Sequence, residues 1–181
     1  NLTLAVVHGV LAQLFFSLLL VLASLTSRTW REAPPPSPRE SGETDLALAG
    51  WLVAAVAVQL FLGALLRHYH IDPSLHVSMA VLVITLGGFT GVRAWGYHAD
   101  LPILPRLGVA LTALLCAQLF LGIAALVVTT LERPVGERVR FEIPIVTAHQ
   151  TTGAMILGAA VLVRLWAGRL VAATPSSENA K

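Results

Sequence analysis

The chain has 181 residues, 56% of them hydrophobic and only 12% charged, with a mean hydropathy of +0.76. A soluble domain is about 45–50% apolar and about 25% charged, so this composition excludes a water-soluble globule of the same length. A net charge of +2 is too small for a nucleic-acid footprint, and the single Cys116 excludes an intrachain disulfide or a cysteine-based metal cluster. The apolar residues fall in blocks, as in an integral membrane protein. The chain opens on Asn1 without a basic leader or a small-residue cleavage site, so it reads as a fragment or processed product and not as a signal peptide.

A bilayer core takes about 20 apolar residues per helix. In chain order, the blocks are 2–26 with His8 and Gln13, 46–66 with Gln59, 75–92 with His76, 107–131 with Gln118, and 145–163 with His149 and Gln150. Arg67, Arg93 and Arg164 stop the second, third and fifth. Continuous apolarity without a period of two excludes a closed barrel.

The polar segments differ in character. Residues 27–45, with Ala33-Pro34-Pro35-Pro36-Ser37-Pro38, read as a stiff inner linker without the means to pack, a plain spacer in preference to a PxxP ligand. Residues 132–144 read as an outer loop long enough to cover a pocket, and 173–181 as a polar tail. With the N-terminus outside, Arg28, Arg31, Arg39, Arg93, Arg106, Arg164, Arg169 and Lys181 lie inside, against Arg67, Arg133, Arg138 and Arg140 outside. That bias predicts N-out, C-in.

An internal repeat points to a site. Gln59-Leu60-Phe61-Leu62-Gly63 recurs as Gln118-Leu119-Phe120-Leu121-Gly122, and each phrase precedes a span that opens on a histidine, His76 or His149. The expected fold is all-α and integral to the membrane. Five transmembrane helices are expected, the last four (46–172) forming a pseudo-twofold four-helix bundle, since sites in such proteins lie at the repeat interface. One turn and more below the histidines lie Ala80, Val83 and Gly87, and Gly153, Ile156 and Ala160, residues small enough to admit a wide, flat group. An ionisable side chain inside a span is costly and functional by default. Two such histidines suit bis-imidazole ligation of a heme iron. The alternative is two interfacial histidines, with the small residues serving helix packing.

His8 resembles the other two and stands open between a packing role and half of a second ligand pair. Arg67 and His68 at the outer mouth are candidates for heme propionates, Arg140 less so because it also fits an ordinary interfacial arginine. His68 and His70 compete with His76 as the partner of His149. Gln59 and Gln118 are expected to bond across helices, His98 to lie in an interfacial aromatic belt, and Cys116 to act as a small hydrophobe. No span shows a nucleophilic triad, a phosphate loop or a carboxylate pair.

The run Gln59–His68, the His-led helix after it, Gln118–Gly122 and Ala148-His149 together resemble the C-terminal half of heme A synthase. Val7-His8-Gly9-Val10-Leu11-Ala12-Gln13-Leu14-Phe15-Phe16 resembles the last helix of that family's N-terminal half. The resemblance covers nearly the whole chain and maps its spans to the fourth to eighth of the family's eight. It implies a membrane oxidoreductase that converts the methyl group of heme o to the formyl group of heme a for terminal oxidases. Heme b would be held by His76 and His149 as the iron ligands, and His8 would match a substrate-heme ligand. The second substrate-heme histidine and the glutamate of that half have no counterpart here, so the chain alone would lack a complete active site. Implied partners are the heme o substrate, the lipid bilayer of the cell's inner (plasma) membrane and heme-biosynthesis or oxidase-assembly membrane proteins, with no nucleic acid. A bis-histidine cytochrome b that only carries electrons, and a heme-free structural subunit, stand as alternatives.

Overall fold

The computed structural model describes the backbone of residues 1–130 and 135–173, and the side chains of all of these except 135–139. In chain order the elements are α1 (Leu2–Thr26), α2 (Arg28–Arg31), β1 (Ser37–Arg39), α3 (Gly42–Tyr69), α4 (Ser74–Val92) continuing into a π-helical turn (Arg93–Tyr97), α5 (Leu104–Thr130), α6 (Val135–Leu170) and β2 (Val171–Ala173). Among the described residues five helices are long and apolar enough to cross a membrane, one for each predicted block. This is the pattern of a multi-pass membrane protein. At about 1.5 Å per residue, α3 with its 28 residues outruns a hydrocarbon core of about 30 Å. Its ends therefore stand in the interface.

Large apolar side chains such as Leu4, Phe15, Trp51, Phe89 and Phe120 point away from the protein, as expected of helices apolar on every side and surrounded by lipid. Lipid gives helices no hydrophobic reason to associate, so close packing of small residues has to hold them. α3 packs on α4 and α6, and α5 packs on the same two, which closes a four-helix ring. Ala49, Leu52 and Val56 of α3 meet Val83 of α4, Leu111 and Leu115 of α5, and Ile156 and Ala160 of α6. Glycines set the closest approaches. A Cβ on Gly87 would lie 2.6 Å from Leu115 Cδ1, and one on Gly108 would lie 2.6 Å from the Gly91 carbonyl oxygen. α1 lies outside the ring against α3 and α6, where Leu20 and Phe16 sit on Gly158.

Two polar segments differ from the sequence reading. Residues 27–45 are not a free spacer. Trp30 packs edge-on against Trp166 with centroids 4.9 Å apart, Arg169 donates to the Ala33 and Pro34 carbonyls at 3.0 Å each, and β1 pairs in parallel with β2. Proline cannot donate a backbone hydrogen bond, but its carbonyl still needs a donor, and Arg169 supplies it. α3 also starts earlier than the apolar block, with Glu43 and Asp45 in its first turn, where the helix dipole favours negative charge. Finally, the part of the expected outer loop from residue 135 onward is helical and continuous with α6, Pro144 included. Membrane helices tolerate proline where neighbouring groups satisfy the freed carbonyl. Residues 131–134 and the tail at 174–181 lie outside the described residues.

A candidate histidine-pair site

Gln59 and Gly63 stand one turn apart on α3, so both face the same neighbour. That neighbour is the start of α4, where His76 sits. Gln59 Nε2 lies 3.2 Å from His76 Nε2 and donates to the His76 carbonyl at 3.1 Å. A Cβ on Gly63 would lie 3.1 Å from His76 Cε1. The second copy of the phrase makes the same ring contacts between α5 and α6. Gln118 Nε2 lies 3.4 Å from His149 Nε2, and a Cβ on Gly122 would lie 3.2 Å from His149 Cε1. Each phrase is thus a cradle for one imidazole: the glutamine amide holds the ring and the glycine clears its space.

The two cradles bring the rings together. The centroids of His76 and His149 are 6.4 Å apart, with the planes at 72°. Both histidines are half-buried, while Nδ1 of each ring and Oε1 of Gln59 and Gln118 are buried without a hydrogen-bond partner. An orphaned buried polar atom costs about 1–3 kcal/mol, and the four around this pair of rings make it a candidate site. Among the described residues no group of three or more His, Cys, Asp or Glu converges. A metal held here takes two protein ligands and draws the rest from elsewhere.

The other predicted residues are placed as follows. Gly153 is buried, but the space beside it is taken: a Cβ there would lie 3.2 Å from Leu60 Cδ2 and 3.4 Å from Gln118 Nε2. Ala80 is half-buried, and Leu115 fills the space at Gly87. The room expected below the histidines is therefore occupied by protein, leaving the level of the rings and the helix ends beyond them. Arg67 is exposed in the last turn of α3, two turns beyond Gln59 on the same face, and His68 beside it is half-buried. His70 ends α3 in the left-handed region at φ 52° and is exposed. Arg140 is exposed and lies over the Phe141 ring at 5.9 Å. His8 is exposed on α1, and no hydrogen bond or ring contact joins it to the pair. Just before α4, Asp72 accepts from the Ser74 backbone N–H at 2.6 Å, and hydrogen bonds from Ser74 hold its carboxyl below the usual range.

One buried cluster escaped the sequence reading. Asp45, 7% exposed, accepts from Arg93 Nε at 2.5 Å, Ser41 Oγ at 2.7 Å and His98 Nε2 at 2.9 Å. His98 is 2% exposed and not interfacial, and α3 does carry a carboxylate. The π-helical turn explains the convergence. Residues five apart lie on different faces of an α-helix of 3.6 residues per turn, whereas a π turn has i→i+5 hydrogen bonds and aligns Arg93 with His98. Asp45 and Gln59 are 14 positions apart on α3, which at about 1.5 Å per residue puts this cluster roughly 21 Å from the histidine pair. Comparison of the chain with protein-family models, with curated proteins and with solved structures finds no match.

Proposed function

We propose that this chain is the heme b half of a heme A synthase-type oxidoreductase of the cell's inner membrane, with the N-terminus outside and the C-terminus cytoplasmic. The observation that carries the reading is the doubled glutamine–histidine–glycine cradle ending in two facing imidazoles. His76 and His149 stand with their ring centroids 6.4 Å apart, and each ring has a buried nitrogen, Nδ1, that no protein group engages. Two protein ligands suit an iron whose remaining four positions are filled by a macrocycle.

When bound, the heme supplies an iron that accepts and returns one electron. The chain does the rest. His76 and His149 hold the iron, Gln59 and Gln118 set the ring orientations, and Gly63 and Gly122 keep the rings from being displaced. Arg67 and His68 offer donors to propionates at the helix ends. Ala80 and Gly153 pack one turn below the ligands, and His8 on α1 is the candidate substrate-heme ligand. In the resemblance, the reaction served is oxidation of the heme o methyl group to a formyl group, with oxidase-assembly proteins as partners.

One observation favours a second reading, a cytochrome b that only carries electrons. The buried carboxylate of the described residues, Asp45, lies roughly 21 Å from the histidines by helix rise, too far to move protons at a substrate beside them. Reconstitution with heme and an optical spectrum tests both against a heme-free structural subunit. A six-coordinate low-spin spectrum that His76→Ala combined with His149→Ala abolishes is expected. A spectrum that survives the double substitution overturns the ligand assignment. The reading frame upstream of Asn1 then separates the first two readings. Three further spans with a glutamate and histidines on the second support the synthase, and a native start near Asn1 supports the carrier.

A further inference from the structure

At the end of the bundle opposite the histidine pair, Asp45, Thr90, Arg93 and His98 line a cavity of about 10 Å³, closed by apolar side chains that include Leu104 and Val163. Two of these polar groups are incomplete. Thr90 and His98 are only 4% and 2% exposed, yet Thr90 Oγ1 and His98 Nδ1 have no hydrogen-bond partner. Buried polar atoms in native proteins are almost always paired, with ordered water where protein is lacking.

The chemistry identifies the missing partner. Arg93 is always charged and pairs with Asp45, so Asp45 is the carboxylate and accepts only. His98 Nε2, 2.9 Å from Asp45 Oδ2, must carry the hydrogen. With a single proton on the ring, Nδ1 is a bare acceptor that needs a donor. The Thr90 hydroxyl brings one donor and two acceptor positions, and unlike Thr85 and Thr112 it does not bond back to the preceding turn. Asp45 and Arg93 cancel in formal charge, so the pair leaves no excess charge to hold an ion. Its volume lies at the lower edge of the roughly 10–15 Å³ that one water requires.

We propose that this cavity is a binding site for a single water molecule, which donates to His98 Nδ1 and shares a hydrogen bond with Thr90 Oγ1. The water completes a chain from Ser41 through Asp45 and His98 to Thr90, tying the start of α3 to α4 and its π-helical turn. The site is independent of the heme reading. Close packing of Gly91 and Gly108, whose backbones approach within the space of a methyl group, fixes the same turn from the α5 side.

Solid-state NMR of the full chain in lipid bilayers, labelled with ¹⁵N-histidine and assigned with His98→Asn, tests the site. The expected ring is protonated at Nε2, with Nδ1 bare and hydrogen-bonded, and it receives magnetisation from water protons. Thr90→Val should reduce that transfer several-fold, and Thr90→Ser should retain it. A ring protonated at Nδ1, no transfer in the unsubstituted protein, or equal transfer in Thr90→Val overturns the proposal. The first two readouts need no substitution at Thr90, so they decide the matter even if Thr90→Val does not fold.

Discussion

Replacing Gly63 by alanine puts a methyl carbon 3.1 Å from His76 Cε1, and Gly122→Ala puts one 3.2 Å from His149 Cε1. Carbon atoms rest at about 3.5–4.0 Å, so each ring has to retreat, which also draws it away from the glutamine amide of the same helix. Overpacking of this kind costs about 1–3 kcal/mol. Against that, alanine is about 0.8–1.0 kcal/mol better than glycine within a helix. The balance is a loss of roughly 0–2 kcal/mol at either position. Gly88 supplies the control, because it is also inside a helix and a Cβ there meets nothing within 4 Å. Gly88→Ala should therefore gain about 0.8–1.0 kcal/mol. Equilibrium unfolding in mixed micelles, followed by helical circular dichroism, compares the three variants directly. If Gly63→Ala and Gly122→Ala stabilise the protein as much as Gly88→Ala does, the cradle account is wrong.

Other consequences concern the opposite end of the bundle. Asp45→Asn leaves Arg93 and His98 without their carboxylate. Breaking a buried pair costs about 3–5 kcal/mol, and the partial exposure of Arg93, 21%, places the loss toward the lower part of that range; an unfolding midpoint unchanged from the parent protein would contradict this. Arg169→Ala removes the two bonds to the Ala33 and Pro34 carbonyls and should speed hydrogen exchange at the amides of Ser37, Arg39, Glu40 and Ser41, with unchanged protection as the contrary result. Arg39 donates to Asp100 and holds its carboxyl below the usual 3.8. The folded value lies below the unfolded one, so this contribution is complete above the unfolded value and is lost as pH falls through the folded one. Arg39→Ala should move the Asp100 titration upward in a ¹³C carboxyl NMR series. With Asp100 exposed, it should leave the unfolding midpoint almost unchanged.

The five helices were legible because lipid demands long apolar runs, and no tertiary contact is needed to see them. The repeated Gln–Gly phrase was legible as a pattern, but its purpose was not. Gly63 and Gly122 have meaning only against a ring on the next helix, and no single-helix periodicity shows that. Asp45, Arg93 and His98 were missed because the convergence depends on a π turn, which shifts the helical period just where His98 enters. The proline-rich segment misled for a related reason. Its partners, Trp166, Arg169 and Val171–Ala173, are more than 130 positions away, and Arg169 bonds carbonyls whose demand for a donor is invisible in composition. Pro144 read as the edge of a loop because proline breaks helices in water, a rule that the membrane relaxes.

The account stands most directly on a heme titration of the purified chain in bilayer nanodiscs. One heme per chain with a low-spin bis-imidazole spectrum is predicted, lost in His76→Ala and in His149→Ala taken singly and retained in His8→Ala, His68→Ala, His70→Ala and His98→Ala. A chain that binds no heme, or one whose spectrum survives both single substitutions, contradicts it.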